Sequence, residues 1–206
     1  MGPKEELIAA LLSHAVAGAG IATVLRPQFR PPARYWVLAI VCAVAPDLDI
    51  LGVWMGANYL GMFGHRGFMH SIFFAGILAV LLSCGAFSSS KWRELRFRAG
   101  LAFFVAGAFH GILDALMSAG KGVAFFAPFS RARFHFPIRP IRVSPPSSEF
   151  LFREGGIRVS GSELLWIWIP SMLLIAVSYW YWKARARRPG SFAPARSGRA
   201  SSPNTP

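Results

Sequence analysis

The chain has 206 residues, 54% of them apolar and only 15% charged, with a mean hydropathy of +0.43. A soluble domain carries roughly a quarter charged residues, and disorder needs low hydrophobicity; a water-soluble globule and a disordered chain are therefore excluded for most of the sequence. The balance of 22 Lys and Arg against 9 acids gives a net charge of +13. In so apolar a chain, basic residues flanking membrane spans account for that excess, and no nucleic-acid partner is expected.

These numbers point to an integral membrane protein embedded in the lipid bilayer, a polytopic all-α bundle in one domain over residues 1–186. Five stretches approach the about 20 apolar residues that a crossing helix needs, near 7–25, 35–55, 68–87, 99–117 and 164–182. The first has Lys4, Glu5 and Glu6 ahead of it and is interrupted by His14. It lacks the basic start and clean apolar core of a cleaved signal and reads as an uncleaved span. Cys42 and Cys84 lie inside apolar runs and read as small buried hydrophobes, with no disulfide framework. Between the fourth and fifth spans, Phe125, Phe126, Phe129, Phe134 and Phe136 stand among arginines. That composition suits a folded or half-embedded excursion, with turns at Pro145, Pro146, Gly155 and Gly156. The last span carries an aromatic belt at each end, Trp166 and Trp168 at one, Tyr179 to Trp182 at the other. Residues 187–206 have almost nothing to bury and are expected to be a disordered basic tail.

Basic residues outside the spans alternate in number except in the long loop of residues 118–163, which holds seven spread widely and lands outside. Arg26, Arg30 and Arg34 follow span one, Arg66 alone lies between spans two and three, Lys91, Arg93, Arg96 and Arg98 follow span three, and six basic residues begin at Lys183. The positive-inside rule then places loop one, loop three and the C-terminus in the cytoplasm.

Ionisable groups inside a span cost about 2.5–3.5 kcal/mol each for Asp at mid-helix, and they mark functional sites by default. Four of the five histidines, His14, His65, His70 and His110, lie in or beside spans one to four, as do Asp47, Asp49 and Asp114. His110 and Asp114 are four apart and share a helix face. Asp47 and Asp49 are two apart, but Pro46 predicts a broken helix there, which lets both reach one cavity. The spacing of His65 and His70 suits a loop-to-helix junction. With alternating spans all seven groups fall at one membrane depth, in the outer half. Each histidine alone reads equally as a structural hydrogen-bond partner, and His135, among Arg131 and Arg133, reads as a surface residue. Convergence of seven such groups points to a metal or proton-handling site.

These pieces resemble a known family, the YdjM-like, LexA-regulated inner-membrane metal-dependent hydrolases. The resemblance rests on His14, on Ala45-Pro46-Asp47-Leu48-Asp49, on His65-Arg66-Gly67-Phe68-Met69-His70-Ser71, and on His110-Gly111-Ile112-Leu113-Asp114 continuing through Ser118 and Gly120 to Pro128-Phe129-Ser130. It spans about residues 8–131. That family is in turn distantly similar to zinc-dependent phospholipase C and P1-type nucleases, which hold zinc with His and Asp, including His-x3-Asp on one helix. The resemblance implies His14, Asp47, His65, His70, His110 and Asp114 as metal ligands, with one or two ions.

A divalent metal in such a setting lowers the pKa of bound water toward about 7. A set of His and Asp without Cys favours zinc, with manganese as the alternative. Of Asp47 and Asp49, the one that is not a ligand would act as general base or orient a ligating histidine, and Asp49 is taken in that role. Arg66, between two candidate ligands, would grip an anionic phosphate or else anchor in the headgroups; Arg131 and Arg133 would do the same. The expected activity is hydrolysis of a phosphoester, lipid-linked in one form. The alternative is a non-catalytic membrane protein that uses the same cluster for a structural metal or for ions or protons.

Overall fold

The computed structural model describes residues 3–27, 30–142 and 161–186. It is all-helical: among the described residues there is no strand, only two isolated bridges. Helix α1 runs over Pro3–Val24. Helix α2, Ala33–Val44, passes through a 3-10 turn at Ala45–Leu48 into α3, Asp49–Trp54. Pro46 lacks the N–H that a regular α-turn needs, and the chain tightens where it stands. A second 3-10 turn at Phe68–His70 leads into α4, Ile72–Ala86, whose first turn is capped by Ser71 Oγ accepting from the Phe74 N–H at 3.0 Å. Helix α5 spans Arg93–Ala115. The last arm begins as α6, Gly161–Glu163, widens into a π-helical stretch at Leu164–Trp168 and continues as α7, Ile169–Ala186. Pro170, which cannot donate back to the preceding turn, follows that widening directly.

Three of these arms are long and apolar enough to cross a membrane: Ala33–Trp54, Ser90–Ala115 and Gly161–Arg185. The other two expected spans are shorter apolar helices, Leu11–Val24 and Ile72–Ala86. The 15 residues of α4 make about 22 Å of helix, less than a hydrocarbon core of about 30 Å. The structure shortens this expected span because residues 68–71 form the 3-10 turn and cap. It also lengthens α5 at its start, taking Arg93, Arg96 and Arg98 into the helix.

Helix α5 packs against α4, α2 and α1, while α7 lies along α1. Small residues let the backbones approach: a Cβ on Gly18 of α1 would stand 2.5 Å from Ala43 Cβ of α2, and one on Gly107 of α5 only 3.2 Å from Ala75 Cβ of α4. The buried core is accordingly rich in alanine, Ala39, Ala79, Ala99, Ala102 and Ala106 among them, around Tyr35 and Phe103. Large apolar side chains face outward, including Val80, Leu81, Phe97, Leu173 and Val177. Small inside and large outside is how helices pack in lipid.

Cation contacts show which helix ends lie together. Arg34 sits over the Phe87 and Trp92 rings at 4.8 and 5.2 Å, and Arg26 over Trp182 at 4.7 Å. The basic loops and the end of α7 thus share one end of the bundle. At the other end residues 117–142 fold back as an excursion, as their composition suggests. Val123 and Phe134 exchange backbone hydrogen bonds of 3.0 and 2.9 Å, Ser118 N–H donates to Ile141 O, and Ala124 N–H donates to Arg66 O. The expected turns at 145–156 and the tail at 187–206 lie outside the described residues.

Candidate metal centre

Asp114 and His110 project from one face of α5, and both are buried. His110 Nδ1 donates to the carbonyl of Ala43 at 2.7 Å. That bond fixes the ring and the tautomer, leaving the Nε2 lone pair facing inward. Asp47, on the 3-10 turn after α2, points the same way, with Oδ1 3.5 Å from His110 Nε2. His70 enters from the turn before α4, its Nε2 lying 3.1 Å from Asp114 Oδ2 and 3.6 Å from Asp47 Oδ1. Gly111 makes room for that turn, since a Cβ there would stand 3.0 Å from the His70 carbonyl.

Asp47, His70, His110 and Asp114 therefore offer four ligand atoms all within 4.8 Å of one another. Tetrahedral zinc with bonds of about 2.0–2.1 Å places its ligand atoms about 3.3 Å apart. The contacts above and the 3.8 Å from His110 Nε2 to Asp114 Oδ2 bracket that edge. The polar atoms argue the same way. Among the described residues His14 Nε2, His70 Nε2, His110 Nε2, Asp47 Oδ2 and Asp114 Oδ2 are buried without a hydrogen-bond partner. Three imidazole nitrogens left without hydrogen bonds against the carboxylates of Asp47 and Asp114, of which Arg66 offsets only one, are costly in a membrane interior, and this donor set fits a divalent cation.

The other candidates surround this group. His14 of α1 stacks on His110, ring centroids 3.8 Å apart, and its Nε2 is 3.4 Å from Asp114 Oδ1. Asp49 forms a second set with His65 and His70. Its Oδ1 accepts from His65 Nδ1 at 2.7 Å and its Oδ2 from the Arg66 backbone N–H at 3.0 Å. His70 Nδ1 also lies 3.0 Å from Oδ2, close but off the line of a hydrogen bond. The two acids thus divide around His70, Asp47 on its Nε2 side and Asp49 on its Nδ1 side.

Arg66 is buried rather than anchored in headgroups. Its Nε pairs with Asp114 Oδ2 at 3.0 Å, Nη1 donates to Ala119 O at 2.8 Å, and Nη2 reaches Met117 Sδ at 3.4 Å. Its backbone is left-handed, φ 61°, uncommon for a residue with a Cβ. Gly120, at φ +96°, leaves the space the guanidinium occupies: a Cβ there would stand 1.9 Å from Nη1. Arg133 is a loop tie, donating to the carbonyls of His65 and Gly122 at 3.0 and 3.2 Å. Arg131 and His135 are exposed.

One buried acid escaped the sequence reading. Glu163 accepts from Ser13 Oγ at 3.1 Å, and Ser13 Oγ accepts from Trp168 Nε1 at 3.0 Å, which links the last arm to the residue beside His14. In sequence Glu163 reads as the polar edge of the last span, and nothing in its spacing marks a partner 150 positions away.

The profile of the YdjM inner membrane protein family matches residues 10–186, a range that contains every candidate above. Inner membrane protein YbcI of Escherichia coli (strain K12) is 35% identical over 175 residues, covering 82% of this chain and 96% of that protein. No solved structure matches the chain. With its apolar helices and the length of both matches, the chain belongs to the YdjM inner membrane protein family and is an inner membrane protein.

Proposed function

We propose that this cluster is a divalent metal centre, with zinc the first candidate and manganese the second, in a membrane-embedded hydrolase of phosphoesters. The observation that carries the reading is the set of buried, unpartnered Nε2 and Oδ atoms converging from four elements. His70, His110, Asp47 and Asp114 hold the ion, and His14 and His65 flank it as further ligands. A divalent cation supplies Lewis acidity there and brings the pKa of its water to about 7. Asp49 orients His70 and His65, or takes a proton as general base. Three of the five N–H groups of Arg66 are engaged, and the remaining two serve a phosphate oxygen. The phosphoester class rests on the resemblance of His110 and Asp114, four apart on one helix, to the His-x3-Asp of zinc-dependent phospholipase C and P1-type nucleases. The shared basic end of the bundle supports a cytoplasmic C-terminus and a centre in the outer half of the membrane.

A second reading, a structural metal or a proton-handling site, is favoured by closure. The four inner groups are each less than 5% exposed.

The test is elemental analysis of the detergent-purified chain beside Asp114→Ala, His70→Ala and the gentler Asp47→Asn. One or two equivalents of zinc or manganese in wild type, lost in the variants, is expected. Metal-free, folded wild type after reconstitution refutes both metal readings. Phosphoester turnover by the loaded protein then separates enzyme from structural site.

A further inference from the structure

At the end of the bundle away from the histidines, a groove of about 530 Å³ runs along the α4–α5 pair. This is within the range of about 300–1,000 Å³ typical of ligand sites. Its floor is small, with Gly76, Ala79 and Ser83 on α4 facing Gly100 on α5, and its walls are apolar, with Val80, Leu101 and Phe104. Along α5 it runs from Arg96 to Phe104, about 12 Å of helix. Arg93 and Arg96 line its basic end. Neither makes a hydrogen bond or ion pair among the described residues, while the neighbouring acid, Glu94, is held by Arg98 at 3.4 Å. Lys91 and Arg34 border the same end through Trp92.

An apolar trough running along the membrane helices, closed at one end by two uncommitted arginines, is complementary to one kind of molecule. We propose that the α4–α5 groove holds an acyl chain of an anionic phospholipid, its headgroup phosphate resting on Arg93 and Arg96. Basic pockets between membrane helices hold anionic lipids by this combination of hydrocarbon contact and surface charge. The assignment is independent of the metal centre, which lies toward the other ends of both helices.

Native mass spectrometry of the full detergent-solubilised chain tests it, with phosphatidylglycerol and phosphatidylcholine of identical acyl chains as probes. Wild type is expected to retain one phosphatidylglycerol with about a tenfold preference, and the double variant Arg93→Ala/Arg96→Ala to fall to parity. Gly76 has open space where its Cβ would stand. Gly76→Phe therefore starts its side chain in open space on the groove floor and is expected to lose the bound lipid while keeping helicity and metal content. Equal retention of both lipids by wild type overturns the proposal, as does a preference that survives both variants. Displacement by millimolar inorganic phosphate would assign the arginines to a soluble anion instead. A dimer that Gly76→Phe converts to monomer would give the groove to a second copy. Either of these results refutes the lipid.

Discussion

Asp49→Asn changes almost no volume and separates a ligand from a residue that positions one. Two N–H groups donate to the Asp49 carboxylate, His65 Nδ1 at 2.7 Å to one oxygen and the Arg66 backbone at 3.0 Å to the other, where His70 Nδ1 also lies 3.0 Å away, off the hydrogen-bond line. An asparagine keeps a single acceptor oxygen. Whichever way its amide turns, an NH2 group meets either His65 or the pair on the other side. One buried donor loses its partner, a penalty of about 1–3 kcal/mol, and the His70 ring loses part of what holds its Nε2 inward. Outer-shell partners of this kind are worth about 10–100-fold in metal affinity. Competition titration of zinc against a chromogenic chelator reads this, with circular dichroism to check helicity. Asp49→Asn is expected to keep the wild-type stoichiometry at 10–100-fold weaker affinity, while Asp47→Asn loses the site. Wild-type affinity in Asp49→Asn, or a loss of stoichiometry equal to that in Asp47→Asn, refutes the division of roles around His70.

Three glycines give further tests. Gly120→Ala is expected to expel the Arg66 guanidinium, because its Cβ would stand 1.9 Å from Nη1 and the backbone there has φ +96°. Breaking a buried pair of this type costs about 3–5 kcal/mol, so both thermal midpoint and metal content should fall, whereas Gly76→Ala, in open space, should retain both. Gly18→Leu drives α1 from α2 at a 2.5 Å contact. A loss of about 1–3 kcal/mol in denaturant titration is expected; unchanged stability would show that the two helices have room to part.

The features readable in the sequence were those with a period or a breaker. The four-residue step from His110 to Asp114 fixed one helix face. Pro46 announced the turn that brings two acids, two positions apart, to the same histidine. Five apolar runs gave the five helical arms, though the third began later than hydropathy alone suggested, since a 3-10 turn and a serine cap carry no apolar signal. What could not be read were pairings without local pattern. The contact of Arg66 with Gly120, the Ala43 carbonyl under His110 and the Ser13–Glu163 bond each depend on how whole helices pack, and neither spacing nor composition records that.

The site residues also have an order in time. Asp47 and Asp49 are synthesised about 20 residues ahead of Arg66 and His70, and more than 60 ahead of His110 and Asp114. At about 5–20 residues per second, α2 is complete for several seconds before α5 exists. Until α5 arrives, Asp47 and Asp49 on the turn after α2 have at most His14, His65, Arg66 and His70 to face, without the His110 and Asp114 that complete the cluster, and an unpartnered Asp at mid-membrane costs about 2.5–3.5 kcal/mol. The acidic turn after α2 is therefore expected to stay at the water boundary while the chain grows. Settling of the first helices into the bilayer and closure of the histidine cluster become one late event, timed by the arrival of α5.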